Sequence, residues 1–159
     1  MHGDGDRDYA SFDQFVLSIE PRLHGAFVAS YGHEHGREAT AEALAYAWET
    51  WPKLESLENP AAYLYKVGQS RTRRRRIRPV FDRPTEDDPR VEPGLSPALS
   101  KLSIRQRQTV GLIYGEGWTL QEVAQFLGIS ISSVQKHAER GLGQLRRRLG
   151  VGVEETIRD

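Results

Sequence analysis

A single glycine between two apolar stripes constrains this chain more than any other feature. In LQEVAQFLGISISSVQKHAERGLGQL, residues 120–145, Leu120, Val123, Ala124 and Leu127 recur at helical spacing. Gly128 follows, and Ile131, Val134, Ala138, Leu142 and Leu145 resume the period. Thr119 is placed to cap the first helix, with Glu122 three residues on to complete a capping box. Ser130 caps the second helix, which is predicted to run to about Leu149. The turn needs a positive φ, which glycine reaches without steric cost. Two short helices meeting at a sharp turn are the layout of a helix-turn-helix, whose second helix enters the major groove of duplex DNA. With the stripe inward, Ser132, Ser133, Gln135, Lys136 and Glu139 face outward near the start of that helix, and Arg140 adds charge further along. These side chains can hydrogen-bond base edges or phosphates. Arg146, Arg147 and Arg148 also suit the negative end of the helix dipole.

The net charge is zero, which at first argues against a polyanionic partner, but the signs are segregated. Lys66, Arg71, Arg73, Arg74, Arg75, Arg76 and Arg78 form one basic block with no acid among them. Asp82, Glu86, Asp87, Asp88 and Glu92 follow, and bases again exceed acids between Ala98 and Gly150. Two basic blocks around an acidic spacer suit a protein that touches a polyanion at two places.

Prolines at 79, 84, 89, 93 and 97, set among charges, mark residues 79–97 as a flexible Pro-rich acidic linker. It divides a unit over 9–78 from a unit over 98–151, and the fold class is all-α: two small helical domains, the second a four-helix module. The N-terminal unit opens with a Ser11 cap and the stripe Phe12, Phe15, Val16 and Ile19; Pro21 is expected to kink or restart this helix before Leu23, Phe27, Val28 and Tyr31. The next helix runs from about Arg37 to Trp51 with Leu44, Ala47, Trp48 and Trp51 inward. Asn59-Pro60 caps and opens another that packs Tyr63, Leu64 and Val67. In the second unit, Pro97 to Leu102 form a helical turn, and Ser103 caps a helix whose Val110, Leu112, Ile113 and Tyr114 cover the reader helices.

Several chemistries are not supported. The chain has no cysteine, hence no disulfide or thiolate zinc site. His33-Glu34-His35 has the wrong spacing for the His-Glu-x-x-His zinc signature and reads as a polar turn. Asp4, Asp6 and Asp8 lack the rest of a calcium loop. No nucleophile, base and orienter assemble, so no enzyme, metal or cofactor is expected. No apolar run approaches the roughly 20 residues of a membrane helix, and MHGDGDRDYA lacks a signal-peptide pattern, so a cytoplasmic protein is expected.

ALSKLSIRQRQTVGLIYGEGWTLQEVAQFLGISISSVQKHAERGLGQLRRRL resembles the fourth conserved region of bacterial RNA polymerase sigma factors of the extracytoplasmic-function group, including Leu102, Arg105, Gln106 and Arg107 at its start. PRL at 21–23, REATAEALAYAWETW at 37–51 and NPAAYLYKVGQSRTRRRR at 59–76 resemble the second region. The resemblance implies a factor that guides core polymerase to promoters and assists their opening. It implies docking of Glu38 and Glu42 on the clamp coiled coil of the polymerase, with Ala41 where glutamine is usual, and contact of the second domain with the flap. It also implies contact of Asn59, Lys66, Ser70, Arg71, Arg73, Arg74 and Arg75 with the melted promoter strand, with Tyr63 where tryptophan is common and Ser70 where asparagine is usual. An anti-sigma partner follows from the same resemblance. Two other readings remain at this point: a regulator of duplex DNA, since SSVQKHAERGL also resembles LuxR-type reader helices, and a module that sequesters a protein partner.

Overall fold

The computed structural model describes residues 3–74, 79–81 and 94–150, with side chains from Tyr9 onward. Most of the proline-rich acidic stretch, Arg75 to Arg78 and the tail from Val151 lie outside the described residues. The described residues are helical, with no strand among them. Helices α1 (Gly3–Tyr31), α2 (His33–Thr50) and α3 (Pro60–Arg74) form the first unit, with a 3-10 turn at Lys53–Ser56. Helices α4 (Leu95–Ser100), α5 (Ile104–Val110), α6 (Leu120–Leu127) and α7 (Ile131–Leu149) form the second, with a π-helical turn at Gly111–Gly115.

α1 does not restart at Pro21: it is one element with Pro21 inside it, and Ser11 does not cap it. Proline removes the N–H that would bond the Leu17 carbonyl, but Leu17 and Pro21 both lie on the exposed face, where that carbonyl can bond water instead. Ile19, Leu23, Ala26 and Phe27 form one buried stripe across the proline and hold the helix together. His33-Glu34-His35 is not a turn but the first turn of α2, because Gly32 alone joins the two helices and no breaker follows it. Trp48 is half-exposed rather than inward, with its ring 4.9 Å from those of Tyr9 and Phe12.

The interior face of α2 is built from small residues, Gly36, Ala39, Thr40, Ala43 and Ala47, so that it lies very close to α1. A Cβ on Gly36 would stand 2.7 Å from the backbone N and Cα of Val28. Backbone, unlike a side-chain tip, cannot swing away. On α3, Asn59 accepts a hydrogen bond from the Ala62 N–H at 3.2 Å, as its position before Pro60 predicts. The residue buried from this helix is Tyr65, while Tyr63 is largely exposed.

In the second unit the short helix begins two residues earlier than expected, at Leu95. Ser103 and Gln106 form a capping box on α5, and Tyr114 is 61% exposed instead of covering the reader helices. One hydrophobic cluster runs through both units: Leu23, Phe27, Leu64 and Tyr65 join Leu112, Val123, Phe126 and Val134. A smaller cluster of Ala98, Leu102, Val110 and Leu145 fixes α4 and α5 on α7.

Gly36→Ala is expected to destabilise the protein by about 1–3 kcal/mol through overpacking of α1 on α2, read as a lowered urea midpoint; an unchanged midpoint would show that the crossing has slack. A second expectation concerns acid. The Glu122 carboxyl is held below its usual range by the Thr119 hydroxyl, then by the Thr119 backbone N–H, with Arg22 adding to this. A depressed folded-state pKa stabilises above the ordinary carboxylate range, near pH 4, and is lost as pH falls through and below it. Glu122→Gln should therefore lower the thermal midpoint at neutral pH and match the parent in strong acid. Equal differences at both pH values would overturn the assignment.

Candidate nucleic-acid interface

The reader motif is defined by its caps. The Thr119 hydroxyl accepts from the Glu122 N–H at 3.1 Å, and the Glu122 carboxylate accepts from the Thr119 N–H and hydroxyl, at 3.4 and 3.0 Å. Gly128 closes α6 at φ 70°, where a side chain would be strained. The Ser130 hydroxyl then accepts from the Ser133 N–H at 3.1 Å and starts α7. Val134, Ala138 and Leu145 turn inward as the spacing predicts. Ile131 does not: at the first position of α7 it is 47% exposed, beyond the reach of the core.

Ser132, Gln135, Lys136, Glu139 and Arg140 are all exposed along the outer side of α7. Ser133 is half-buried and its hydroxyl accepts from Ser130 at 2.9 Å, so it belongs to the cap as much as to the surface. The face thus offers donors, acceptors and two cations at the start of a rigidly capped helix, the chemistry that reads base edges and neutralises phosphates.

On α3, Lys66, Ser70, Arg73 and Arg74 are exposed and Asn59 is exposed at its cap. Arg75 lies outside the described residues. Arg71 is half-buried, its guanidinium 5.2 Å from the centre of the Tyr46 ring. The Tyr46 and Tyr63 hydroxyls meet at 3.0 Å, a hydrogen bond that raises the Tyr63 phenol above its ordinary range. Sequence reasoning did not include Tyr46, and no local pattern marks it: it joins the site across 17 residues from α2. Together Tyr46, Tyr63 and Arg71 present aromatic surface beside positive charge, a combination able to hold unstacked bases. Glu38 and Glu42, four residues apart, share one side of α2. Glu38 is exposed with His35 Nδ1 at 3.6 Å, and Glu42 is half-buried.

These two regions are clasped together. Tyr65, fully buried on α3, shares its hydroxyl with the Ser30 hydroxyl of α1, and it accepts from the Gln108 amide of α5, each at 2.5 Å. Burial pushes the Tyr65 phenol well up. Its ring lies 4.9 Å from that of Phe126 on α6. Arg107 donates to the Ser30 carbonyl at 3.0 Å, and Arg22 pairs with Glu122 while stacking over the Trp118 ring at 4.8 Å. Gly111 lets the π-helical turn approach α1 so closely that a Cβ there would stand 2.6 Å from the Ala29 Cβ. A Cβ on Gly128, at the reader turn, would lie 3.8 Å from Lys66 Nζ.

Residues 98–147 match the family described as Sigma-70, region 4. Over 72 residues, 45% of this chain and 41% of the relative, the sequence is 35% identical to the RNA polymerase sigma factor CarQ of Myxococcus xanthus, so the match spans under half of that protein. The fold is similar to the sigma factor RpoE in a co-crystal structure with the anti-sigma factor NepR from Bartonella quintana. That likeness has a TM-score of 0.65 at 24% identity and covers 89% of this chain and 98% of the other. Residues 98–147, which take in most of α4–α7, thus match sigma-70 region 4, in a chain whose fold is similar to that of the sigma factor RpoE.

Proposed function

We propose that this protein is a sigma factor that brings RNA polymerase core to specific promoters and assists their opening. The observation that carries the reading is the capped reader helix α7, with its polar face exposed, in the same body as the arginine-ended helix α3. Lys136 and Arg140 neutralise phosphates, and Ser132, Gln135 and Glu139 reach base edges in the major groove, with Ile131 beside them as an apolar contact for a thymine methyl. Lys66, Ser70, Arg71, Arg73 and Arg74 follow the backbone of the opened strand, and Asn59 stands at the head of the same helix. Stacking on Tyr63 and Tyr46 contributes about 1–3 kcal/mol per captured base. Such capture lets binding free energy separate the strands, with no bond hydrolysed. Glu38 and Glu42 dock on the polymerase clamp, and region 4 meets the flap. An anti-sigma protein is the expected restraint, as for the similar RpoE. Among the described residues no helix is long and apolar enough to cross a membrane. The reading places the protein in the cytoplasm, with its DNA. A plain duplex regulator explains α7 but leaves α1–α3 without a task.

A promoter presents a duplex element and an opened element at separate places. While α3 and α6 are clasped, α3 and α7 move as one body, so we infer that the two units part when the promoter is engaged.

Transcription reconstituted with core polymerase on a library of promoter sequences tests the main reading. Transcripts should arise from templates sharing two sequence elements, and failure to bind core or to initiate from any template would overturn it. Within the same assay series, Lys136→Ala or Arg140→Ala should weaken DNA binding across sequences and reduce the slope of log affinity against log salt by about 1. Parting of the units is tested separately. The chain has no native cysteine, so Arg22→Cys with Glu122→Cys can be bridged by a short bismaleimide. The bridged protein should bind core yet lose most promoter-specific transcript; full transcription in the bridged form would show that no parting is needed.

A further inference from the structure

Where the end of α1, the last turn of α3 and the start of α5 meet, the structure forms a half-open cavity of about 470 Å³. Tyr31, Gln69, Thr72, Arg73, Arg105 and Arg107 line it. Three arginines thus line one hollow, and among the described residues no carboxylate lines it or forms an ion pair with any of them. Arg107 is the informative member. It is only 7% exposed, and its Nε and one terminal nitrogen donate to the carbonyls of Ser30 and Leu102, at 3.0 and 2.5 Å. Those carbonyls fix the plane of the guanidinium but carry no full charge to balance it. A buried cation without an anion is unfavourable, and the usual resolution is a paired anion or a loss of charge. Burial does push the Arg107 guanidinium down, but arginine stays charged in proteins.

The rest of the lining is neutral and polar. Tyr31, whose phenol is pushed up by burial and drawn back by the positive charge of Arg73 and Arg107, lies beside Thr72 and Gln69 in this lining. Hydroxyl and amide groups beside three forked donors match an oxyanion with several oxygens better than a single carboxylate. The volume falls within the range of small-molecule sites and exceeds the needs of a simple ion.

We propose that this hollow binds a small phosphorylated anion, of the pyrophosphate or nucleoside polyphosphate class. Arg73 belongs to the first unit, and Arg105 and Arg107 belong to the second. A phosphoanion held by all three therefore ties the units together and favours the clasped form. The site is an effector site on the seam, separate from the recognition face of α7. Its consequence for transcription rests on the sigma factor reading, whereas binding and clasping do not.

The test uses the full chain without polymerase. Calorimetric titration with inorganic pyrophosphate, in buffer held at constant ionic strength, should give saturable binding to one site. Orthophosphate and a nucleoside triphosphate, titrated likewise, tell which size the hollow prefers. Arg105→Gln, at a half-buried position, should weaken pyrophosphate binding by about tenfold or more, the loss of one charge-assisted contact. Arg148→Gln, an exposed arginine outside the cavity, should leave it unchanged. Pyrophosphate should also raise the yield of the bismaleimide bridge between Arg22→Cys and Glu122→Cys, and this rise should vanish with Arg105→Gln. Absence of saturable binding, or equal weakening by the Arg105 and Arg148 variants, overturns the proposal, the latter outcome meaning general attraction of anions to a basic surface. Binding without any rise in bridge yield overturns its role as a tie between units. If binding and bridging behave as expected but no promoter is transcribed, the sigma factor reading fails and the site stands.

Discussion

The Tyr65 hydroxyl is the point on which the arrangement turns. It is buried completely, and a buried hydroxyl is tolerable only with partners. One partner, Ser30, belongs to the same unit, while the other, Gln108, comes from the region 4 domain. Phe126 covers the ring of the same residue. The clasp therefore combines a polar bond that water can replace on opening with an apolar contact that water cannot. The polar part gives register at little net stabilisation, and the apolar part supplies most of the resistance to parting. Such a division suits an interface that must be specific and still open.

Elements whose signals are local were legible in the sequence. Thr119 with Glu122, Gly128 and Ser130 lie within a dozen residues, and each occupies the role its chemistry dictates. Asn59-Pro60 is another such signal. Pro21 does not end its helix, because it lies on the exposed face, where water can meet the carbonyl left without its N–H partner. Tyr63 and Tyr65 show a different limit. Two residues apart on a helix they point to opposite sides, and only the partner surface decides which is inside. That surface is Phe126, far along the chain. The same holds for Ser30 with Arg107 and for Arg22 with Glu122, separated by 77 and 100 residues. Periodicity describes what a helix hides and is silent about what hides it.

Charge segregation also takes its meaning only from the fold. A net charge of zero conceals the fact that Arg73, Arg105 and Arg107, from distant stretches, converge on one hollow that no carboxylate among the described residues lines. The positive charge of α3 is thus divided. Arg71 leans on Tyr46 beside the exposed tyrosine pair, whereas Arg73 lines the seam. While the clasp is shut, neighbouring arginines in one basic run face different surfaces.

This division bears on the order of events in the proposed function. α2 packs on α1 and α3, and Glu38 remains exposed while the clasp is shut. The proposed docking of core polymerase through Glu38 and Glu42 therefore does not require the units to part. Docking that leaves the clasp untouched shifts its equilibrium only if polymerase also prefers the parted form, since a ligand moves a balance by its differential affinity alone. On the proposed reading that preference comes from α4–α7, which must meet the flap and the duplex element at a distance from the opened element that α3 holds. The N-terminal unit then supplies attachment, the C-terminal domain supplies the drive to open, and an anion in the seam opposes the second step without obstructing the first.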